Sequence, residues 1–182
     1  MKFIRCVAVV ALGCALAGCA PGGTSSPPVS ETSTPTPTST PTPQWSAEEQ
    51  AAVDAVQRYL EVWTDIGQKI PNCDVGAIRD VASDPAANNA ALTWANWDRN
   101  GWHLVGAPTF VADYITLGAI DYQGQRYHVH GCYITGDSHL ADTTGTSIGP
   151  PKQTRATGNF LVLRVPDDTW YVLEDTSEGN PC

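Results

Sequence analysis

The segment HVHGC sets two imidazoles and a thiol at alternating positions, His128, His130 and Cys132. In an extended strand alternate side chains share a face, so all three point the same way. Two histidines so spaced can ligate one Zn2+, which takes imidazole and thiolate readily. Along an extended strand, however, His128 and Cys132 lie about 13 Å apart, too far to complete one shell. The expectation is two ring-bearing residues on a partly exposed sheet face, with no metal. Asp113 is a second candidate. Its strand presents either Tyr114 and Thr116 or Val111, Asp113 and Ile115 inward. A carboxylate enclosed among Trp and Tyr has a raised pKa and can act as a general base. A solvent-facing Asp is the plainer expectation. The third group is aromatic: Trp45, Trp63, Trp94, Trp97, Trp102 and Trp170. Trp63, Trp94 and Trp170 fit core patterns, whereas Trp97 or Trp102, near the helix–strand junction, are candidates for a pocket mouth or a protein contact.

The elements that must position these residues change period near Gly101. Before it, WSAEEQAAVDAVQRYLEVWTDIG predicts a helix, with Ser46 and Glu49 at capping-box spacing and Trp45 as a staple. Ala52, Val56, Leu60 and Trp63 form its apolar stripe, widened by Val53, Tyr59 and Ile66. Gly67 and Pro71 are expected to end it. A short helix over Cys73–Ser83 follows, capped by Asn72. Asp84-Pro85 then reads as a cap and first-turn proline for a third helix marked by Ala87, Ala91, Trp94 and Trp97. After Gly101 the chain is rich in aromatic and β-branched residues. Residues 109–135 read as one hairpin turning at Tyr122–Gln125, and 155–176 as a second turning at Pro166-Asp167-Asp168. Gly118 marks an expected bulge or bend in the first long strand. Helices first and strands after, with none interleaved, give an α+β domain with helices packed on one face of an antiparallel sheet.

Upstream, Lys2 and Arg5 precede an apolar run from Val7 to Leu16 that is too short to span a bilayer. The LAGC at 16–19 resembles a bacterial lipobox. That resemblance implies acylation of Cys19, cleavage before it, and a signal peptide of residues 1–18. Two acyl chains hold a protein durably on a bilayer. Residues 19–44 then comprise the lipidated cysteine and a stalk, whose TSSPPVSETSTPTPTSTPTP lacks periodic apolar residues and favours extended polyproline II. The domain occupies 45–182. Loss of Lys2 and Arg5 takes the net charge from −9 to −11. So acidic a chain is not expected to bind nucleic acid, nor to lie flat on anionic lipid.

Of the six cysteines, Cys73, Cys132 and Cys182 remain once Cys6 and Cys14 are removed and Cys19 is modified. Three cannot all pair within one chain. Cys132 with Cys182 is the favoured pair, stapling the C-terminus to a strand and leaving Cys73 free; an intermolecular bond through Cys73 is the alternative. No GxSxG, HExxH, P-loop, dinucleotide fingerprint or CxxC is present, so serine-hydrolase, metalloprotease, nucleotide and thiol-redox chemistry are not expected, nor is a cofactor.

The element order, with AVxxYLxxW from Ala55 to Trp63, VHGCY around Cys132, DTTG from Asp142 to Gly145 and a late strand with Trp170, resembles an NTF2-like domain. It is most similar to the NTF2-like lipoproteins of high-GC Gram-positive bacteria and their phages. Tyr133 stands where that family often carries an acidic residue, directly after the mid-domain cysteine. The resemblance implies a cone-shaped fold with a curved sheet, anchored through Cys19 at the outer face of the cytoplasmic membrane. The function expected is non-enzymatic: binding of a small apolar ligand or of an envelope protein. That reading calls for an apolar cavity of at least about 300 Å3 or an exposed apolar patch. The alternative is an NTF2-like isomerase or hydrolase using a pocket carboxylate, with Asp113, His128, His130, Trp97 and Trp102 as its candidate pocket residues.

Overall fold

Ser46 opens helix α1 (Ala47–Lys69) with both halves of the capping box in place. Its hydroxyl accepts from the Glu49 N–H at 3.2 Å, and the Glu49 carboxylate accepts from the Ser46 N–H at 2.8 Å. The computed structural model describes residues 45–149, 154–178 and 181–182. The predicted signal peptide, the acylation site Cys19 and the stalk lie outside the described residues. Helix α1 buries Ala52, Val53, Ala55, Val56, Tyr59, Leu60 and Ile66, the predicted stripe with Ala55 added, while Trp63 is half-buried. It runs two residues past Gly67. A Cβ there would stand 3.1 Å from the Trp97 ring and 3.3 Å from Leu104 Cβ, so this glycine permits close packing and does not end the helix. Pro71, which has no N–H to donate, bars further extension.

The second helical piece is a 3-10 turn, Val75–Asp80, shorter than expected. Its cap is Asp74, whose Oδ1 accepts from the Gly76 N–H at 2.9 Å, in place of Asn72. Helix α2 (Ala86–Asn100) starts after Pro85 without a side-chain cap. Asp84 instead lies 3.5 Å from Arg79 in a solvent-exposed ion pair. At the far end Gly101 takes φ +68°, the left-handed conformation that glycine adopts at least cost, and its N–H returns to Asp98 O.

The strands are β1 (His103–Val105), β2 (Thr109–Asp121), β3 (Gly124–Ile134), β4 (His139–Ala141), β5 (Arg155–Arg164) and β6 (Trp170–Glu178). Four of them make one antiparallel sheet in the order β2-β3-β5-β6. The turns fall where expected, at residues 122–123 and 166–168. β1 and β4 pair as a separate two-stranded ribbon that was not anticipated: three-residue strands within loops leave no alternation to read.

The helices cover one face of the sheet. Tyr127, Val129, Phe160, Val162 and Val172 point into that core beside Tyr59, Val56, Ile78 and Trp94, all essentially buried. Side chains of α1 clamp the helix to the sheet. Gln57 donates to Phe110 O at 2.8 Å and Gln68 to Gly106 O at 2.7 Å. Glu48 accepts from Tyr127 at 3.0 Å and from Arg164 at 2.7 Å. The architecture is α+β, N-terminal helices on a multi-stranded antiparallel sheet, as expected.

Strand β2 departs from simple alternation twice. Ala112 pairs with Gly131 but Tyr114 with His130, so Asp113 is an extra residue; a second slip between Leu117 and Ile120 falls at Gly118-Ala119. Each bulge reverses which parity faces the helices. Phe110 is buried and Ala112 half-buried before the first bulge, and Ile115 is half-buried after it. Neither predicted inward set is correct, because a single period was carried across Asp113. The bulge expected at Gly118 is present.

Candidate functional site

Bulges also decide what enters the space between helix α1 and the sheet. In β6, Val162 pairs with Val172 but Leu161 with Glu174, which makes Leu173 an extra residue. Without it, the alternation from Val172 would turn Glu174 and Thr176 inward. With it, Asp175 pairs with Phe160 and Ser177 with Gly158, and both turn toward the helix. They line a cavity of about 210 Å3 together with Leu60, Trp63, Tyr133, Gly158 and Phe160. Helix α1 supplies Leu60 and Trp63 from its apolar stripe. Gly158 contributes no side chain, and the Phe110 ring lies over it, 3.1 Å from where a Cβ would stand.

Asp175 is the only carboxylate in that lining. Its Oδ2 accepts a hydrogen bond from the Tyr59 hydroxyl at 3.1 Å. Tyr59 is buried and held edge-on to Phe160, with ring centroids 6.3 Å apart. By surface area Asp175 is exposed, since one flank opens to solvent. Protein atoms crowd the remainder, and that burial raises its pKa against the lowering effect of the Tyr59 bond. Solvent at the open flank moderates the rise. Tyr59 and Tyr133 are both pushed well above the usual phenol range, first by burial and then by the Asp175 charge. Both are therefore neutral hydroxyls at physiological pH, and the pocket holds one weakly compensated acid among aromatic rings.

None of the five residues singled out from the sequence lines this cavity. Asp113 sits exposed on the β2 bulge. Trp97, expected at a pocket mouth, is buried against Trp63 with ring centroids 5.3 Å apart, and Trp102 packs half-buried on the core. His128 and His130 share the outer face of the sheet as predicted, with ring centroids 6.4 Å apart. Tyr114 stacks on His130 at 4.4 Å, and the His130 Nδ1 lies 2.6 Å from Asn159 Oδ1. An amide oxygen can only accept, so Nδ1 carries the proton there. Cys132, also on that face, is bonded to Cys182 with Cα atoms 5.6 Å apart, and Cys73 is free. Among the described residues no three His, Cys, Asp or Glu side chains form a group able to hold a metal.

The pocket is smaller than the roughly 300 Å3 expected of a ligand cavity. An open groove of about 480 Å3 runs along the far side of α1, between Glu61, Asp65 and Lys69 and the Cys73–Ala77 segment. Burial raises the Cys73 thiol pKa, which disfavours the reactive thiolate. An exposed apolar patch is present at the end of the first hairpin, where Leu117, Ile120 and Tyr122 are 72%, 75% and 89% exposed. No described helix is long and apolar enough to cross a membrane.

No family model matches the chain, and no curated protein matches it in sequence. Its structure is similar to the crystal structure of the intermembrane space region of the chloroplast protein ARC6, with a TM-score of 0.53 and 14% identity. The match covers 74% of this chain and 98% of that one. At this identity the likeness is one of fold.

Proposed function

We propose that this chain is an acylated extracytoplasmic lipoprotein whose domain binds a small, largely apolar ligand in the pocket between α1 and the sheet. The observation that carries the reading is the cavity itself: Leu60, Trp63, Tyr133 and Phe160 surround about 210 Å3 of space with one carboxylate at its open end. A solid core would have closed that gap, since interiors pack to crystal-like density. The volume suits a compact group and excludes a drug-sized molecule. Helices on one face of an antiparallel sheet are the part of an NTF2-like architecture that supports this reading; among the described residues the four strands form an open row, β2-β3-β5-β6, and no closed cone. Anchoring rests on LAGC and on Cys19 as the acylated residue, which sets the domain at the outer face of the cytoplasmic membrane with the bilayer as its partner.

Native mass spectrometry of the protein purified from its producing cells tests both parts. The expected spectrum shows a diacylated Cys19 and a bound small molecule. Cys19→Ser should release the chain from membranes, and Ser177→Trp, which fills the pocket, should lose the bound mass. An unmodified Cys19 overturns the anchor; a pocket empty both before and after gentle lysis overturns the binding reading.

The Tyr59–Asp175 bond favours a second reading, an NTF2-like isomerase or hydrolase. A carboxylate of raised pKa inside a pocket is suited to general-base work, and the Tyr59 hydroxyl would hold it in place. This role falls to Asp175 and not to Asp113. Turnover abolished by Asp175→Asn, with binding retained, is its signature.

A further inference from the structure

We infer that the pocket selects a small cation, an alkyl or methylated ammonium, seated with its charge on Asp175 and its alkyl groups against Trp63, Tyr133 and Phe160. This deepens the binding reading above and rests on it. An ionised carboxylate offers about four acceptor sites on its two oxygens. Among the described residues, Asp175 uses one of them, for a neutral hydroxyl at 3.1 Å. No described ion pair reaches it; Lys69, Arg79, Arg126 and Arg164 are engaged with other carboxylates. The pocket lining, among the described residues, contains no Lys, Arg or His. Among the described residues, Asp175 is thus a negative charge, open to solvent on one flank, without a positive partner.

The rings around it carry the complementary electrostatics. Aromatic faces are negative, and they attract a cation most strongly when water is excluded. Four lining residues, Leu60, Trp63, Tyr133 and Phe160, offer apolar contact to the ligand's carbon atoms. Both phenols near the carboxylate stay neutral, so no tyrosinate competes with Asp175 for the charge. An anionic ligand would meet Asp175 with like charge. A neutral apolar ligand would fill the cavity but strip water from the carboxylate and return nothing, a net cost. The net charge of −9 adds a long-range field that concentrates cations and repels anions.

The test compares two compounds of one carbon skeleton, tert-butylammonium and tert-butanol, titrated into the full chain and read from the Trp63 indole N–H resonance. The ammonium should bind about tenfold more tightly or better, a step that the loss of one charge contact removes. Its affinity should fall as acid protonates Asp175, while that of the alcohol holds or rises. Asp175→Asn should erase the preference without lowering the alcohol's affinity. If the alcohol binds the wild type as tightly as the ammonium, cation selection is wrong while the pocket remains a binding site. If neither binds, the binding reading falls and takes this inference with it. The pH profile of the wild type decides the matter even where the variant folds poorly: ammonium binding indifferent to acid overturns the inference.

Discussion

The Tyr59 hydroxyl on helix α1 donates to Asp175 Oδ2 on strand β6 at 3.1 Å, across 116 positions of sequence. The bond ties the middle of the first helix to the last strand, at the open end of the cavity. It is also the one described hydrogen bond that compensates the Asp175 charge, so stability and ligand chemistry meet at the same atom pair.

That charge has a definite effect on stability against pH. Burial raises the Asp175 pKa above its unfolded value, so the folded chain holds the proton more tightly. Stability from this group is full below the unfolded pKa and is lost as pH rises through the folded one. Asp175→Asn should therefore melt above the wild type at neutral pH. The two melting temperatures should converge in acid, below the ordinary aspartate pKa of about 3.9. Thermal melts across that range check it, and a gap independent of pH refutes it.

Tyr59→Phe should cost about 1–2 kcal/mol, because a hydrogen bond to a charged group is lost and the carboxylate keeps its desolvation. In an Asp175→Asn background the same change should cost less, giving a nonzero coupling in a double-mutant cycle. Chemical denaturation of the four proteins supplies the numbers. Strict additivity would show that the bond contributes nothing.

Gly131 pairs with Ala112 across β2 and β3, beside the Asp113 bulge. A Cβ there would fall 2.2 Å from Val111 O, 2.7 Å from Phe110 Cζ and 2.9 Å from Ala112 Cα. Two of these three atoms are backbone, which cannot swing aside. Gly131→Ala should cost at least the roughly 1–3 kcal/mol of ordinary overpacking. Hydrogen exchange should show the loss concentrated in the β2–β3 ladder; unchanged protection there contradicts the packing account.

The Cys132–Cys182 bond spans 50 positions. Its removal by Cys182→Ser should lower stability by about 2–4 kcal/mol, mainly by freeing the unfolded chain. Non-reducing peptide mapping of the wild type should recover this pair with Cys73 unpaired. A variant as stable as the wild type would mean that the staple closes a segment already held by packing.

Much of this was legible in the sequence, and the part that hid the pocket acid has one physical cause. Ser46 with Glu49, the Ala52–Val56–Leu60 stripe, both hairpin turns and the Cys132–Cys182 pair rest on local chemistry or fixed periodicity, and each is found as expected. The pocket acid was missed because Asp175 faces inward only by virtue of the extra residue at Leu173. Read with period two, WYVLEDTSE places Val172, Glu174 and Thr176 on one face, which hides Asp175 on the other. Asp113 faces solvent, the plainer of its two expectations, and does so as the extra residue of its own strand's bulge. Bulges are tertiary adjustments with weak sequence marks, and here one falls on Asp113 and another two residues before Asp175. A usable signal lay in Tyr133 and Asp175, a phenol and an acid late in their strands, at the same end of the sheet.

The two slips in β2 have one more consequence, for molecules crowded side by side. β2 is an outer strand of the sheet, and its exposed end bears Leu117, Ile120 and Tyr122. A regular strand with such a surface would offer a neighbour an unbroken row of amides to zip against. Here the row is interrupted at Asp113 and again at Gly118-Ala119, so an incoming strand finds matching partners over only a few residues before losing step. The irregularity that misleads a reader of the sequence also keeps one copy of the sheet from growing into the next.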